Sequence, residues 1–217
     1  MKKFYIVGTP IGNLKDITLR AIEVLKDIDF LISEDPLRTK KIFDKYNIEF
    51  KKFLKINERN FDRNIKKLED IFKKYNKIAY TSSAGTPGIS DPGNRLVNFV
   101  REKFKDFEII PIPGPSSLTT FLSVCGFNVN RFLFLGFLPK KKRKKYFEII
   151  KNIKIPIVIF ESPYRLNKTL LELKNIGKEK VVIGRELTKI YEEIIIIDLK
   201  EFKENFKFKG EIILLIL

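Results

Sequence analysis

The sequence predicts a two-domain α/β fold, and three observations carry that expectation. Short apolar runs of strand length alternate with stretches whose apolar residues recur at helical spacing. Three Gly-Pro turns each follow a strand-like run: Val7-Gly8-Thr9-Pro10-Ile11-Gly12-Asn13, Ala84-Gly85-Thr86-Pro87-Gly88-Ile89-Ser90-Asp91-Pro92-Gly93 and Pro111-Ile112-Pro113-Gly114-Pro115-Ser116-Ser117. After Val181 the strands lose their long intervening helices, which favours antiparallel pairing there. The expectation is a mostly parallel sheet in an N-terminal domain, residues 1–113, and a mixed sheet in a C-terminal domain, residues 114–217. The junction falls near Pro113–Pro115, where the alternation restarts.

Phe4–Val7 reads as a buried first strand ending at Gly8. Ile17, Ala21, Val24, Leu25 and Ile28 form a helical stripe behind Asp16, a candidate N-cap. Phe30–Ser33 is a strand, and Asp35-Pro36 places a capping carboxylate before a proline suited to the first helical position. Phe53–Ile56 is a weaker strand, Phe61–Tyr75 a charged helix and Ile78–Thr81 a strand leading into the second turn. Asp91-Pro92 starts a helix that buries Leu96, Phe99 and Val100; Glu108–Ile112 is a strand; Ser116-Ser117 caps a helix ending at Gly126. In the second half, Phe132–Phe137 is a strand, Tyr146–Asn152 a short helix and Pro156–Phe160 a strand. Ser162-Pro163 starts the helix Tyr164–Ile176, and Val181–Gly184, Glu193–Ile197 and Glu211–Leu217 are strands.

Glycine lets a backbone turn tightly or approach a ligand closely, and proline fixes the turn. In an open α/β sheet, ligands bind at such turns beyond the carboxyl ends of strands. Three of them point to a small molecule held largely by backbone. Three helix starts share one design, Asp35-Pro36, Asp91-Pro92 and Ser162-Pro163, each offering free N–H groups at a strand end. There is no Gly-x-x-x-x-Gly-Lys-Ser/Thr loop, and Gly8-Thr9-Pro10-Ile11-Gly12 is not a Gly-x-Gly-x-x-Gly fingerprint.

Composition narrows the chemistry. The 217 residues include no His and a single Cys, Cys125, which excludes an internal disulfide and any cysteine-built metal cage. The commonest general base and metal ligand is therefore missing, and no metal is expected. No apolar run approaches the roughly 18–20 residues of a membrane span, and Met1-Lys2-Lys3 leads into a strand rather than a signal peptide, so the chain reads as soluble and cytoplasmic.

The net charge is +16, from 43 Lys and Arg against 27 Asp and Glu. Lys, Ile, Asn and Phe are all abundant, as under A/T-rich coding, so composition accounts for part of the excess. Clustering points further: Lys140-Lys141-Lys142-Arg143-Lys144-Lys145 is an unbroken basic run between apolar segments, with Phe137 upstream and Tyr146 downstream. A run held in place by a folded scaffold suits a phosphate backbone.

These segments together resemble a known family. Val7 to Leu14 with Asp16-Ile17-Thr18-Leu19-Arg20-Ala21, then Glu34-Asp35, the second and third turns, Arg131 to Pro139, Glu161-Ser162-Pro163 and Arg185-Glu186-Leu187-Thr188-Lys189 occur in the order seen in bacterial small-subunit rRNA (cytidine-2′-O)-methyltransferases. That family belongs to the tetrapyrrole-methylase-like class of S-adenosylmethionine enzymes, and the resemblance spans nearly the whole chain. It implies two α/β domains with S-adenosylmethionine in a cleft between them, a homodimer, and methylation of a cytidine ribose near the decoding centre of 16S rRNA. By position it assigns cofactor contact to Pro10, to Gly85, Thr86, Pro87 and Ile89, to Ser116 and Ser117, and to Phe160 and Glu161.

The chain departs from the family pattern in places. Pro36-Leu37-Arg38-Thr39 replaces the usual Thr-Arg-His-Thr, Ser83 stands for Asp, and Tyr164 and Tyr191 stand for His. Many members carry a C-terminal extension; this sequence stops at Leu217, which makes an assembled 30S particle a reasonable substrate alongside naked 16S rRNA.

Methyl transfer from a sulfonium needs alignment above all, whereas a ribose hydroxyl gains from a base or a charge stabiliser. Without His, the candidate catalytic groups are Glu34, Asp35, Arg185 and Lys189, with Glu161 and Glu186 as further proton acceptors. Asp35 serves equally as a helix cap. Arg38 and Lys140 to Lys145, Arg143 included, are the candidate RNA contacts. Two other classes stay open at this point: a tetrapyrrole-type small-molecule methyltransferase of the same fold, and an RNA-binding relative that has lost catalysis, suggested by Leu37, Ser83 and the missing His.

Overall fold

Alternation along the first strand, β1 (Lys2–Val7), sends Phe4 and Ile6 to one side and Tyr5 and Val7 to the other, and both sides are apolar. A strand with two apolar faces belongs in the middle of a sheet covered by helices. In the computed structural model, which describes residues 1–203 and 206–217, that is its place. β2 (Phe30–Ser33), β3 (Phe53–Lys55), β4 (Lys77–Thr81) and β5 (Phe107–Ile112) complete a five-stranded sheet in the order β3-β2-β4-β1-β5. Every pairing in it is parallel. The sheet belongs to the first of two units, Met1–Ser116; the second is Ser117–Leu217.

Helices cover both faces of the parallel sheet. On one, α1 (Leu19–Asp27) and α2 (Pro36–Lys45) bury Ala21, Leu25, Ile42 and Phe43 against Tyr5, Val7, Leu31 and Ala79. On the other, α3 (Ile65–Lys74) and α4 (Gly93–Lys103) bury Leu68, Phe72, Leu96 and Phe99 against Phe4, Ile32, Ile78 and Tyr80. Phe72 is the hub of the second face. Its ring meets those of Phe4, Phe104 and Phe107 at 5.2, 5.2 and 5.1 Å, and that of Phe99 at 6.2 Å.

The second unit begins with α5 (Ser117–Val124), followed by β6 (Leu133–Phe137), α6 (Arg143–Asn152), β7 (Ile157–Glu161), α7 (Leu166–Asn175), β8 (Lys180–Arg185), β9 (Glu193–Asp198) and β10 (Ile212–Ile216). The sheet order is β6-β7-β10-β8-β9; β6 and β7 are parallel, and the other three pairings are antiparallel. The mixed sheet expected from the helix-poor stretch is therefore present. Phe147, Ile150, Leu166, Leu170 and Leu173 pack the helices α6 and α7 onto Ile159, Ile183 and Leu214. Gly184 leaves room on the sheet for the Phe121 ring of α5, 2.5 Å from where a Cβ would stand. Among the described residues no helix is long and apolar enough to cross a membrane.

Several boundaries differ from the sequence reading for local reasons. Asp16 closes a 3₁₀ turn (Leu14–Asp16), and Thr18 caps α1 by accepting the Ala21 N–H at 3.2 Å. Of the three shared helix starts, Asp35 caps α2 by accepting the Arg38 N–H at 3.2 Å, and Asp91, one residue further out, accepts the N–H of Gly93, the first residue of α4, at 2.7 Å. Pro92 and Arg165 occupy the cap positions of α4 and α7, and neither side chain makes a capping bond. The basic run does not precede its helix: α6 begins within it, at Arg143.

Phe72→Ala should lower stability by about 3–5 kcal/mol, the usual cost of removing a buried ring. Urea unfolding followed by circular dichroism checks it; a loss under about 1 kcal/mol would show that the face can collapse around the vacancy.

Candidate functional site

The registers place Ser33, Thr81, Val7 and Ile112 side by side at the carboxyl edge of the parallel sheet. All three Gly-Pro turns leave from that edge, and the backbone ties them to one another. Thr9 and Gly85 form an antiparallel bridge, with N–H groups donating to carbonyls at 2.9 and 3.0 Å in the two directions. Gly8 N–H donates to the Ile112 carbonyl at 2.9 Å. A Cβ on Gly8 would stand 2.7 Å from the Cα and nitrogen of Gly114, and one on Gly114 would stand 2.8 Å from the backbone of Gly8. Only two glycines allow this approach. Thr86 then closes the ring, its hydroxyl donating to the carbonyls of Gly114 and Pro115, both at 3.1 Å. The contacts join β1 to β4, where the strand order reverses direction, the usual ligand position in such sheets.

The second turn is shaped from inside by Asp91. Its carboxylate accepts the Gly88 N–H at 2.8 Å, the Gly93 N–H at 2.7 Å and the Tyr80 hydroxyl at 3.3 Å. Burial pushes its pKa above the ordinary carboxylate value, with the backbone hydrogen bonds opposing that rise. Burial likewise raises the Tyr80 phenol, so it stays protonated and donates. Gly85 holds a φ of 79°, in the left-handed region that suits glycine. Pro10 and Pro87 are half-buried, while Thr86 and Ile89 are exposed.

At the end of β2, Glu34 leans across to the strand end of β4. Its Oε2 accepts the Ser83 N–H at 2.8 Å and the Ser83 hydroxyl at 2.6 Å. A serine here donates to Glu34, where an aspartate would set two carboxylates face to face. Below this pair, the buried hydroxyls of Ser33, Thr39 and Thr81 are linked at 2.9 and 3.0 Å. Asp35 is spent on its cap and on Arg38, 3.6 Å away, and Arg38 is exposed.

In the second unit, Glu161 at the end of β7 is buried between two arginines. Arg165 approaches Oε1 at 2.7 Å and Arg143 approaches Oε2 at 3.7 Å. Ser162 N–H donates to Oε1 at 2.7 Å and the Thr169 hydroxyl to Oε2 at 2.6 Å. Arg143 also binds Glu172 and Thr169, each at 2.7 Å. Arg143 is only 7% exposed, whereas Lys140, Lys141, Lys142, Lys144 and Lys145 are all exposed. Arg143, one of the six candidate RNA contacts of the run, thus points inward and anchors it. Glu161 has no oxygen left for a substrate proton.

Arg185 and Lys189 are similarly occupied. Arg185 donates to Glu193 at 2.7 Å and lies over the Phe208 ring. Lys189 reaches Glu186 at 2.8 Å and Glu211 at 3.0 Å. Burial opposes charge on both Lys189 and Glu186, and their mutual hydrogen bond with the Glu211 contacts outweighs it. The ammonium is held above its ordinary pKa and the Glu186 carboxylate below. Ser117 opens α5, and Phe160, half-buried, packs its ring against Phe134 and Phe137.

The sequence reading missed Ser83 as the partner of Glu34, and missed the cluster around Glu161. The second carried a signal: Arg165, Thr169 and Glu172 recur at helical spacing on one side of α7, as do Arg143, Phe147 and Ile150 on α6.

Residues 3–203 match the model of the tetrapyrrole (corrin/porphyrin) methylases. The chain belongs to that family. It is 43% identical to the ribosomal RNA small subunit methyltransferase I of Thermotoga maritima, over 98% of this chain and 96% of that one. Among solved structures it is similar to the methyltransferase CobJ, with a TM-score of 0.73 at 14% identity over 100% of this chain and 94% of that one. It is also similar to a uroporphyrin-III C-methyltransferase from Thermus thermophilus complexed with S-adenosylhomocysteine, with a TM-score of 0.69 at 13% identity, covering 98% and 96% of the two chains. The family member thus carries the parallel and mixed sheets of those two structures.

Arg143→Leu should cost about 3–5 kcal/mol, because it leaves the Glu161 carboxylate buried beside one cation fewer. Lys141→Ala, on the exposed part of the run, should stay within about 0.5 kcal/mol of the parent. Urea midpoints of the two variants check the contrast, and equal midpoints would deny Arg143 its anchoring role.

Proposed function

We propose that this chain transfers the methyl group of S-adenosylmethionine to the ribose 2′-oxygen of a cytidine in small-subunit rRNA, near the decoding centre. The observation that carries the reading is the near-full-length 43% identity to a relative named ribosomal RNA small subunit methyltransferase I. The tetrapyrrole enzymes share the fold at only 13–14% identity, so sequence favours RNA over a tetrapyrrole. The exposed lysines of the basic run support a polyanionic substrate. An inactive RNA-binding relative is disfavoured by Ser83, which serves Glu34 as a double donor.

The residues present fit the cofactor. Where Gly8 and Gly114 meet, the two backbones leave no room for a side chain on either, and the reading sets the cofactor against this backbone edge, beside Gly85. Pro10, Thr86, Pro87 and Ile89 border that edge, and the reading adds Ser116, Ser117, Phe160 and Glu161 as contacts. When bound, S-adenosylmethionine supplies a methyl group already activated by its sulfonium. The protein then has to orient the ribose, and to take its hydroxyl proton. Glu34 is assigned the proton: Ser83 fixes one carboxylate oxygen and leaves Oε1 to accept it. Arg38 and the exposed lysines steady the flanking phosphates. Asp35, Arg185 and Lys189 keep to structural work. The enzyme is taken to be a homodimer in the cytoplasm, on the strength of the family resemblance.

The test is transfer of label from tritiated S-adenosylmethionine to unmodified 30S particles and to naked 16S rRNA, with the product mapped by mass spectrometry. A single 2′-O-methylcytidine is expected, and Glu34→Gln should reduce its rate by about 10²–10⁴-fold. Label in neither RNA, or on a base, would refute the reading. Replacing Lys140, Lys141, Lys142, Lys144 and Lys145 by Gln should flatten the salt dependence of RNA binding by about 0.7–0.9 log unit per lost phosphate contact. Cofactor affinity should not change.

A further inference from the structure

The second unit presents two tyrosines to solvent that nothing in the proposed transfer uses. Tyr164 is 96% exposed and Tyr191 is 71% exposed, with Ile190 beside it at 95%. A single exposed ring is ordinary; what sets these two apart is the company of lysines at the same end of the sheet.

The strand registers show that they share an edge. Phe137 pairs with Phe160, Glu161 with Ile212, Ile212 with Arg185 and Arg185 with Glu193. The loops after β6, β7 and β8 and the approaches to β9 and β10 therefore all lie at the same end of the mixed sheet. The first carries Lys140 and Lys141, the second Tyr164, the third Tyr191, and the approach to β10 carries Lys207 and Lys209. These four lysines are exposed. The carboxylates at that end are turned to internal partners: Glu193 to Arg185, Glu186 and Glu211 to Lys189, Glu192 to the Thr188 N–H, and Glu161 to its two arginines. Glu192, Glu193 and Glu211 are exposed as well, each held by a partner within the unit, beside the exposed tyrosines and lysines.

We propose that Tyr164 and Tyr191 are stacking platforms for unpaired bases of the RNA substrate, flanked by lysines that follow its phosphates. Interleaved aromatic and basic side chains are the chemistry of single-stranded nucleic acid binding, since every base offers a π-face and every linkage an anion. A duplex, whose bases are stacked on one another, would use the lysines alone. The proposal rests on RNA being the substrate, and adds that the target is presented unpaired.

Fluorescence anisotropy of the full chain with a labelled single-stranded RNA 12-mer, and with the same sequence as a blunt duplex, tests it. Tyr164→Ala and Tyr191→Ala should each weaken single-strand binding by about tenfold. The slope of log affinity against log salt should stay unchanged, because no cation is lost. Tyr164→Phe and Tyr191→Phe should bind as the parent does, and duplex binding should not respond to any of the four. Parent-like affinity in both alanine variants would overturn the proposal. So would equal losses on single strand and duplex, or alanine variants whose only change is a smaller mass by sedimentation, which would make the tyrosines a contact between copies. Methyl transfer to 30S particles by the parent separates the two readings. If transfer occurs while the alanine variants bind normally, only the stacking fails; if the parent neither binds RNA nor transfers methyl, both fail.

Discussion

The approach of Gly8 to Gly114 is the contact on which the first unit's edge depends. Two peptide backbones lie so close that a single methyl on either would collide at 2.7–2.8 Å. The turns after β1 and β5 are thereby locked together, and the Thr9–Gly85 bridge and the Thr86 hydroxyl bring in the turn after β4. A surface built in this way is held by peptide groups whose positions the sheet dictates. Its precision comes from the parallel strands beneath, which hold Val7 level with Thr81 and Ile112.

The second unit solves a different problem with charge. Glu161, at the end of β7, is inaccessible to water and would be costly alone. Arg143, Arg165, Thr169 and the Ser162 N–H surround it, so its burial ties α6, α7 and the strand end into one polar knot. The same arginine that neutralises Glu161 sits in the middle of the basic run. The lysines around it are thus fixed to the sheet, and their charge is presented from a defined place. A buried carboxylate thus fixes where those lysines stand.

Much of this was legible from the sequence because it is local. Gly and Pro after apolar runs mark turns by their own backbone preferences, and the Asp35-Pro36 start is complete within four residues. The alternation of strands and helices likewise announces two α/β units. What escaped depends on residues far apart in the chain. Ser83 meets Glu34 across 49 positions, and Arg143 meets Glu172 across 29. Asp91 and Ser162 look like simple caps, but Asp91 splits its carboxylate between the Gly93 N–H that opens α4 and the Gly88 N–H behind it, and Ser162 donates its own N–H to Glu161. Arg185 and Lys189 look available for catalysis until the strand pairing sets Glu193 beside the first, and the approach to β10 brings Glu211 to the second. The inward turn of Arg143 was readable, since its spacing to Phe147 and Ile150 continues the helix one turn further than charge alone suggested.

The proposal that S-adenosylmethionine rests against the Gly8–Gly114 contact depends on that contact staying free of side chains. Calorimetric titration of Gly114→Ala and Gly8→Ala with S-adenosylhomocysteine, on variants whose circular dichroism matches the parent, tests it most directly. Affinity should fall by at least about tenfold in each, the effect of some 1.4 kcal/mol of lost binding. A folded Gly114→Ala chain that binds S-adenosylhomocysteine as tightly as the parent would contradict the claim.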